Sequence, residues 1–147
     1  MGTRHRGTNE EINALNAFIK LARSAESVAV RIQTVLPATL TITQFGVLDA
    51  LYHIGPLCQS ELAEKLLKSG GNLTLVVDNL EKAGYVLRER DPADRRFVVV
   101  KLTENGQTFI ANLWPKVVGK VTREMNTLSF TELADLSRLC KKIGLQR

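Results

Sequence analysis

Between residues 59 and 102 the chain sets two short amphipathic segments, a glycine break between them and two β-prone runs in an order that few folds accommodate. Leu62, Ala63, Leu66 and Leu67 share one stripe, the spacing of a short amphipathic helix. Lys68, Ser69, Gly70 and Gly71 interrupt it, because paired glycines favour turns that a helix interior resists. Leu73, Val76, Val77, Leu80 and Ala83 then recur at three and four, and Gly84 suits the left-handed position that closes a helix. This leaves Asn72, Thr74, Leu75, Asp78, Asn79 and Lys82 facing outward. The runs 86–90 and 97–102 read as strands around a polar turn at 91–96. Two helices about a tight turn, followed directly by a hairpin, make a winged helix-turn-helix.

The rest of the chain reads as helix. Residues 1–8 are polar and are expected to be unstructured. From 10 to 36 a long helix is expected, with Ile12, Leu15, Ile19, Ala22, Val28 and Ile32 among its apolar positions and Pro37 ending it. Thr41 and Gln44 have capping-box spacing at the start of a helix that Gly55-Pro56 terminates. Glu61 stands three residues after Cys58, the same spacing, although a thiol is a poor cap. Thr103 caps a long helix that Pro115 should kink, because proline removes a backbone donor and clashes with the preceding turn. Ser129 and Glu132 open a last helix ending at Gly144. The fold class is mainly α (α+β), in the order α-α-α-α-β-β-α-α, with 1–147 forming a single domain. Its apolar stripes at both ends are wider than a small head requires.

The formal charge of +5 favours a polyanionic partner, and its distribution matters more than its size. The segment 59–83 carries Lys65, Lys68 and Lys82 against Glu61, Glu64, Asp78 and Glu81, so the helix-turn-helix is slightly acidic. The hairpin sets Arg88, Arg90, Arg95, Arg96 and Lys101 against Glu89, Asp91 and Asp94, so phosphate attraction falls mainly to it. No apolar run is long enough to cross a membrane and no signal-peptide core opens the chain, which predicts a cytoplasmic protein. Cys58 and Cys140 suit a reducing compartment without disulfides.

Several fragments now fall into one order: Leu40-Thr41-x-x-Gln44-Phe45-x-x-Leu48, Gly55-Pro56-Leu57, Glu61-Leu62-Ala63, Val77-Asp78-x-Leu80-Glu81-x-x-Gly84-x-Val86, Asp94-Arg95-Arg96 and Leu102-Thr103-x-x-Gly106. In order and spacing, over about residues 40 to 106, the set resembles the MarR (multiple antibiotic resistance regulator) family. The resemblance implies a homodimeric transcriptional regulator, a repressor released by a small molecule. It makes 40–102 the DNA-reading head and 9–36 and 103–147 the dimerisation helices.

Residue types suggest where such a head would read DNA. Asn72 and Asn79 can pair with adenine N6 and N7, Thr74 with several bases, and Leu75 can lie on a thymine methyl. The plainer reading makes Asn72 a helix cap and Asn79 an ordinary exposed residue. Many relatives carry Arg or Lys where this chain has Leu75 and Asn79, so an A·T-rich operator is expected. Arg95 and Arg96 at the hairpin tip suit a narrow minor groove, with Asp94 orienting them as the resemblance implies. Lys68, Arg88, Arg90 and Lys101 are candidate phosphate contacts. Many members of the family also bind aromatic acids or phenols between the head and the dimer helices, and Phe18, Tyr52, His53 and Trp114 could line such a cleft.

Other functions have less support. A winged helix that docks protein partners without DNA readout is the alternative, kept open by the acidic helix-turn-helix. No Ser-His-Asp grouping, phosphate-cradling glycine loop or metal-ligand cluster is present, so neither an enzyme nor a cofactor or metal is expected. Cys58 at a helix start could act as a redox switch, against the simpler reading of a small half-buried residue.

Overall fold

The computed structural model describes residues 2–66 and 70–145, and every structural statement below concerns those residues. Their order is α1 (Asn9–Gln33), α2 (Ile42–Ile54), β1 (Leu57–Cys58), α3 (Gln59–Leu66), α4 (Gly70–Lys82), β2 (Val86–Arg90), β3 (Val98–Leu102), α5 (Glu104–Met125) and α6 (Phe130–Gly144). The helix order is the expected one. The sheet has a third strand that was not foreseen. β1 pairs antiparallel with β3, Leu57 opposite Val100 and Cys58 opposite Val99, giving the order β1-β3-β2. Two residues cannot display the alternation that marks a strand, so only the long-range pairing reveals it.

Local chemistry sets the helix starts. Thr41 accepts from the Gln44 amide while Gln44 returns a bond to the Thr41 amide, and Ser129 and Glu132 do the same for α6. A third capping box joins Thr8 and Glu11 at α1. The segment before it, expected to be unstructured, instead turns back along α1: the Thr3 amide donates to Asn16 Oδ1 at 2.7 Å. α1 also stops three residues earlier than expected, and Leu36 turns inward to join the core. α5 runs on through Pro115.

Gly70 and Gly71 were expected to form the turn between the two short helices, yet they lie in the first turn of α4. Glycine costs about 1 kcal/mol in a helix interior. The complete burial of Leu73 just beyond, worth about 1.5–3 kcal/mol, is of the size needed to offset the pair. Ala83, expected on the buried stripe, is exposed because the helix has already ended at Lys82.

The core is shared by the head and α5. Val47 and Leu48 of α2, Leu62 of α3, Leu73, Val77 and Leu80 of α4, Val86 and Val100 of the sheet and Ile110 of α5 are all fully buried. α1 and α6 contain no buried residue, and Phe130 is 90% exposed.

α4, the sheet and α5 meet at one junction. Gly84, with φ at 80°, closes α4, its amide donating to the Glu81 carbonyl and that of Tyr85 to the Leu80 carbonyl, both at 3.0 Å. The Tyr85 carbonyl receives the Thr103 amide at 3.0 Å, and the Thr103 hydroxyl donates to the Gly84 carbonyl at 2.6 Å. Gly106 packs flat on this junction, where a Cβ would meet the Tyr85 carbonyl oxygen. Gly106→Ala should therefore destabilise the fold by about 1–3 kcal/mol or more, read as a lower urea midpoint; an unchanged midpoint would contradict the packing.

Candidate nucleic-acid interface

α4 presents two edges to solvent. Helical periodicity places Asn72, Leu75 and Asn79 along one edge and Thr74, Asp78 and Glu81 along the other. Asn72, Leu75 and Asn79 are exposed, and Leu75 is 61% accessible despite being fully apolar. Asn72 does not cap the helix, since α4 begins two residues before it. Thr74 stands apart from the other three candidates: its hydroxyl accepts from Gln59 Nε2 at 2.5 Å. Gln59, at the start of α3, was not singled out from the sequence, because nothing local marks a contact across fifteen residues.

The second edge of α4 carries the wing. Arg88 of β2 donates from Nη2 to Asp78 Oδ1 at 2.6 Å and from Nη1 to Glu81 Oε1 at 3.3 Å. Its backbone amide donates to Glu81 Oε2 at 3.1 Å. A residue expected to meet phosphate is thus committed to two carboxylates. Lys101 pairs with Glu89 across the hairpin at 2.8 Å. Arg90 donates to the Arg95 carbonyl at 3.3 Å. Lys68 lies outside the described residues.

The wing tip is built on Asp94. Its carboxylate receives the Arg96 amide at 3.1 Å, Nε at 3.0 Å and Nη2 at 2.7 Å. The Arg96 side chain nevertheless remains 85% exposed, with its guanidinium 6.0 Å from the Phe97 ring centroid. Asp94 therefore orients Arg96, while Arg95 is exposed beside it.

Three of the four aromatic candidates come together. His53 lies edge-on to Trp114, ring centroids 4.6 Å apart, and Tyr52 packs edge-on to His53 at 4.9 Å. Asp49 offers only acceptors, so His53 Nδ1 carries the proton it donates to Asp49 Oδ1 at 2.8 Å. His53 and Trp114 line a surface cleft of about 400 Å³ that also meets Lys65 and Leu66 of α3. Phe18 is not part of it; on α1 it stands 65% exposed. A larger groove of about 890 Å³ runs between α1 and the α5–α6 turn, bordered by Leu21, Val28, Met125, Leu128 and Leu136. Cys58 sits in β1 with its sulfur 3.0 Å from the Ser60 hydroxyl. No group of metal-ligating side chains occurs among the described residues, and no described helix is long and apolar enough to cross a membrane.

A recognition helix and wing on one face of a head flanked by long helices can be compared with known proteins. The sequence pattern of the MarR family matches residues 40–98. The uncharacterized HTH-type transcriptional regulator YkoM of Bacillus subtilis is 34% identical over 92% of this chain and 90% of its own. The chain belongs to the MarR family. It is a transcriptional regulator, and its family relatives are not enzymes. Among solved structures, a mutant MarR of E. coli complexed with operator DNA is 30% identical, covers 87% of this chain and 96% of its own, and superposes with a TM-score of 0.69. BpsR of Bordetella bronchiseptica, whose DNA binding is regulated by 6-hydroxynicotinic acid, is 25% identical over 86% of this chain and 91% of its own, with a TM-score of 0.77.

The wing tip of this MarR-family chain makes a testable electrostatic statement. Hydrogen bonds from the Arg96 side chain, then from its backbone amide, hold the Asp94 carboxyl below the ordinary aspartate range. A lowered carboxylate stabilises the fold above its unfolded value, near 3.9, and that contribution is lost as pH falls through the folded value. A carboxyl-carbon NMR titration should give Asp94 a midpoint below about 3.9, moving up towards it in Arg96→Ala. An ordinary midpoint in the wild-type chain would contradict the pairing.

Proposed function

We propose that this regulator is a homodimeric repressor that reads a palindromic operator and is released by a small aromatic or phenolic ligand. The observation that carries the reading is the joint presentation of α4 and the Arg95-Arg96 wing on one head, beside two outer helices, α1 and α6, that contain no fully buried residue. Two such heads, joined through the segments 9–36 and 103–147, would set their recognition helices about 34–36 Å apart, one turn of duplex. A second subunit entering the groove between α1 and the α5–α6 turn would cover Leu21, Leu128 and Leu136.

In this arrangement Asn72, Leu75 and Asn79 meet base edges in the major groove, and their chemistry favours A·T pairs. Thr74, tied to Gln59, reaches the same groove from the other edge. Arg96, oriented by Asp94, and Arg95 enter the minor groove. Arg90, Lys101 and Lys68 supply phosphate contacts. The cleft at His53 and Trp114, with Tyr52 packed behind His53 and both Lys65 and Asp49 at its wall, offers ring faces and one cation to an aromatic ligand. DNA in the E. coli MarR complex and the ligand response of BpsR support the two halves of this proposal.

Protein docking without DNA readout had its support in the acidic helix-turn-helix. Those carboxylates have structural tasks: Glu61 accepts the Cys58 amide at 2.7 Å, and Asp78 and Glu81 hold Arg88. The acidic excess therefore describes internal bonding better than it describes a partner.

Electrophoretic shift on DNA next to the gene should show retention that weakens by about two orders of magnitude or more between roughly 50 and 200 mM salt. Arg95→Ala with Arg96→Ala should cost about tenfold or more in affinity. Binding indifferent to salt, or unchanged in the double variant, favours the docking reading. Sedimentation should give twice the 16.3 kDa chain mass, and a solitary subunit at micromolar concentration would rule the operator geometry out.

A further inference from the structure

Arg88 and Arg96 lie on the same hairpin but answer to different partners. Arg96 bonds to Asp94, two residues away on its own turn, so that pairing carries no information about where the wing sits. Arg88 bonds to Asp78 and Glu81, ten and seven residues back on a different element. Those carboxylates occupy the edge of α4 beside Leu75 and Asn79, so the attachment falls in the turns that carry the candidate reading residues.

Its chemistry suits a clamp better than a phosphate contact. The Arg88 side chain is 24% exposed, and one positive charge stands against two negative ones that are each more exposed. A phosphate arriving there would meet Asp78 and Glu81 as well. The planar guanidinium fork also fixes direction in a way that a lysine ammonium does not. The backbone adds a further tie: β2 is an edge strand, and the Arg88 amide on that strand is taken by Glu81.

We propose that Arg88 is a positioning residue that fixes the angle between wing and recognition helix, so that the regulator discriminates among duplex sequences with both elements in one register. This rests on the DNA-reading function proposed above. A wing free to swing would still attract phosphate, but it would no longer require the minor groove to lie at a set distance from the bases under α4. Loss of the clamp therefore removes discrimination, and the phosphate count stays the same.

The test uses the full chain and a duplex that the wild-type protein itself selects from a random pool, with a shuffled duplex of equal composition as reference. Arg88→Ala should lower the ratio of the two affinities by about tenfold, the scale of one misread base pair, while the slope of log affinity against log salt is unchanged. Asp78→Asn and Glu81→Gln, milder variants that keep side-chain shape, should lower the ratio by smaller factors at the same slope. Arg88→Lys, which keeps the charge and loses the fork, should lower the ratio by a factor between those of the wild-type chain and Arg88→Ala, with circular dichroism melts confirming the fold throughout. A ratio retained in Asp78→Asn and Glu81→Gln overturns the clamp. So does a salt slope that falls by about one in Arg88→Ala with the ratio intact, since that is the mark of a lost phosphate contact. If the wild-type protein selects no duplex, the DNA-reading function itself fails and this inference fails with it.

Discussion

The Tyr85 carbonyl oxygen receives the Thr103 amide at the point where α4 has just ended, β2 is about to begin, β3 has finished and α5 starts. Tyr85 also stacks on Phe109 of α5, ring centroids 4.3 Å apart, and its carbonyl faces the bare Cα of Gly106. Backbone groups at such a crossing must find partners or cost free energy, and here they pair across the end of α4 and the junction of β3 with α5. The recognition helix, the wing and the long helix behind them are thus fastened within a few residues of one another. Positions further out, including the Arg88 clamp and the wing tip, inherit their geometry from this crossing.

Charge plays a more local part than composition suggests. The net +5 is spread along the chain, and many ionic side chains are paired within their own neighbourhood: Lys101 with Glu89, Arg96 with Asp94, and Arg31 and Lys120 with Glu124. Exposed pairs of this kind contribute about 0–1 kcal/mol each to stability. Their effect is directional, since each holds a side chain in one of its possible poses. On the candidate DNA face this separates Arg96, exposed and aimed by its neighbour, from Arg88, which is tied to another element.

How much the sequence reveals depends on how far each signal reaches along the chain. Thr41 with Gln44 and Ser129 with Glu132 are legible because a capping box closes within one turn, and Gly84 because a left-handed residue is needed where the apolar stripe ends. The exposed side of α4 follows from periodicity, and Asn72, Leu75 and Asn79 are found outside as expected. β1 is hidden because its two residues are defined only by β3, more than forty positions later. The first turn of α4 is misread because packing of Leu73 overrides what the glycine pair prefers. Arg88 resembles any cation on a hairpin until the carboxylates of α4 are brought against it. In the same way, Phe18 fits a list of aromatics but lies away from the cleft lined by His53 and Trp114, against which Tyr52 packs through His53.

The bare surfaces of α1 and α6 have a consequence for abundance. α1 is tied to its own subunit mainly at its last turns, through Ile32 and the Arg31–Glu124 pair, and α6 is short enough that in isolation it would be marginal in water. In the homodimer proposed above, mass action would set their stability, so it would rise with the number of copies present. A scarce, newly made chain would then be the form most open to proteolysis. Turnover and occupancy would be linked through the same two helices.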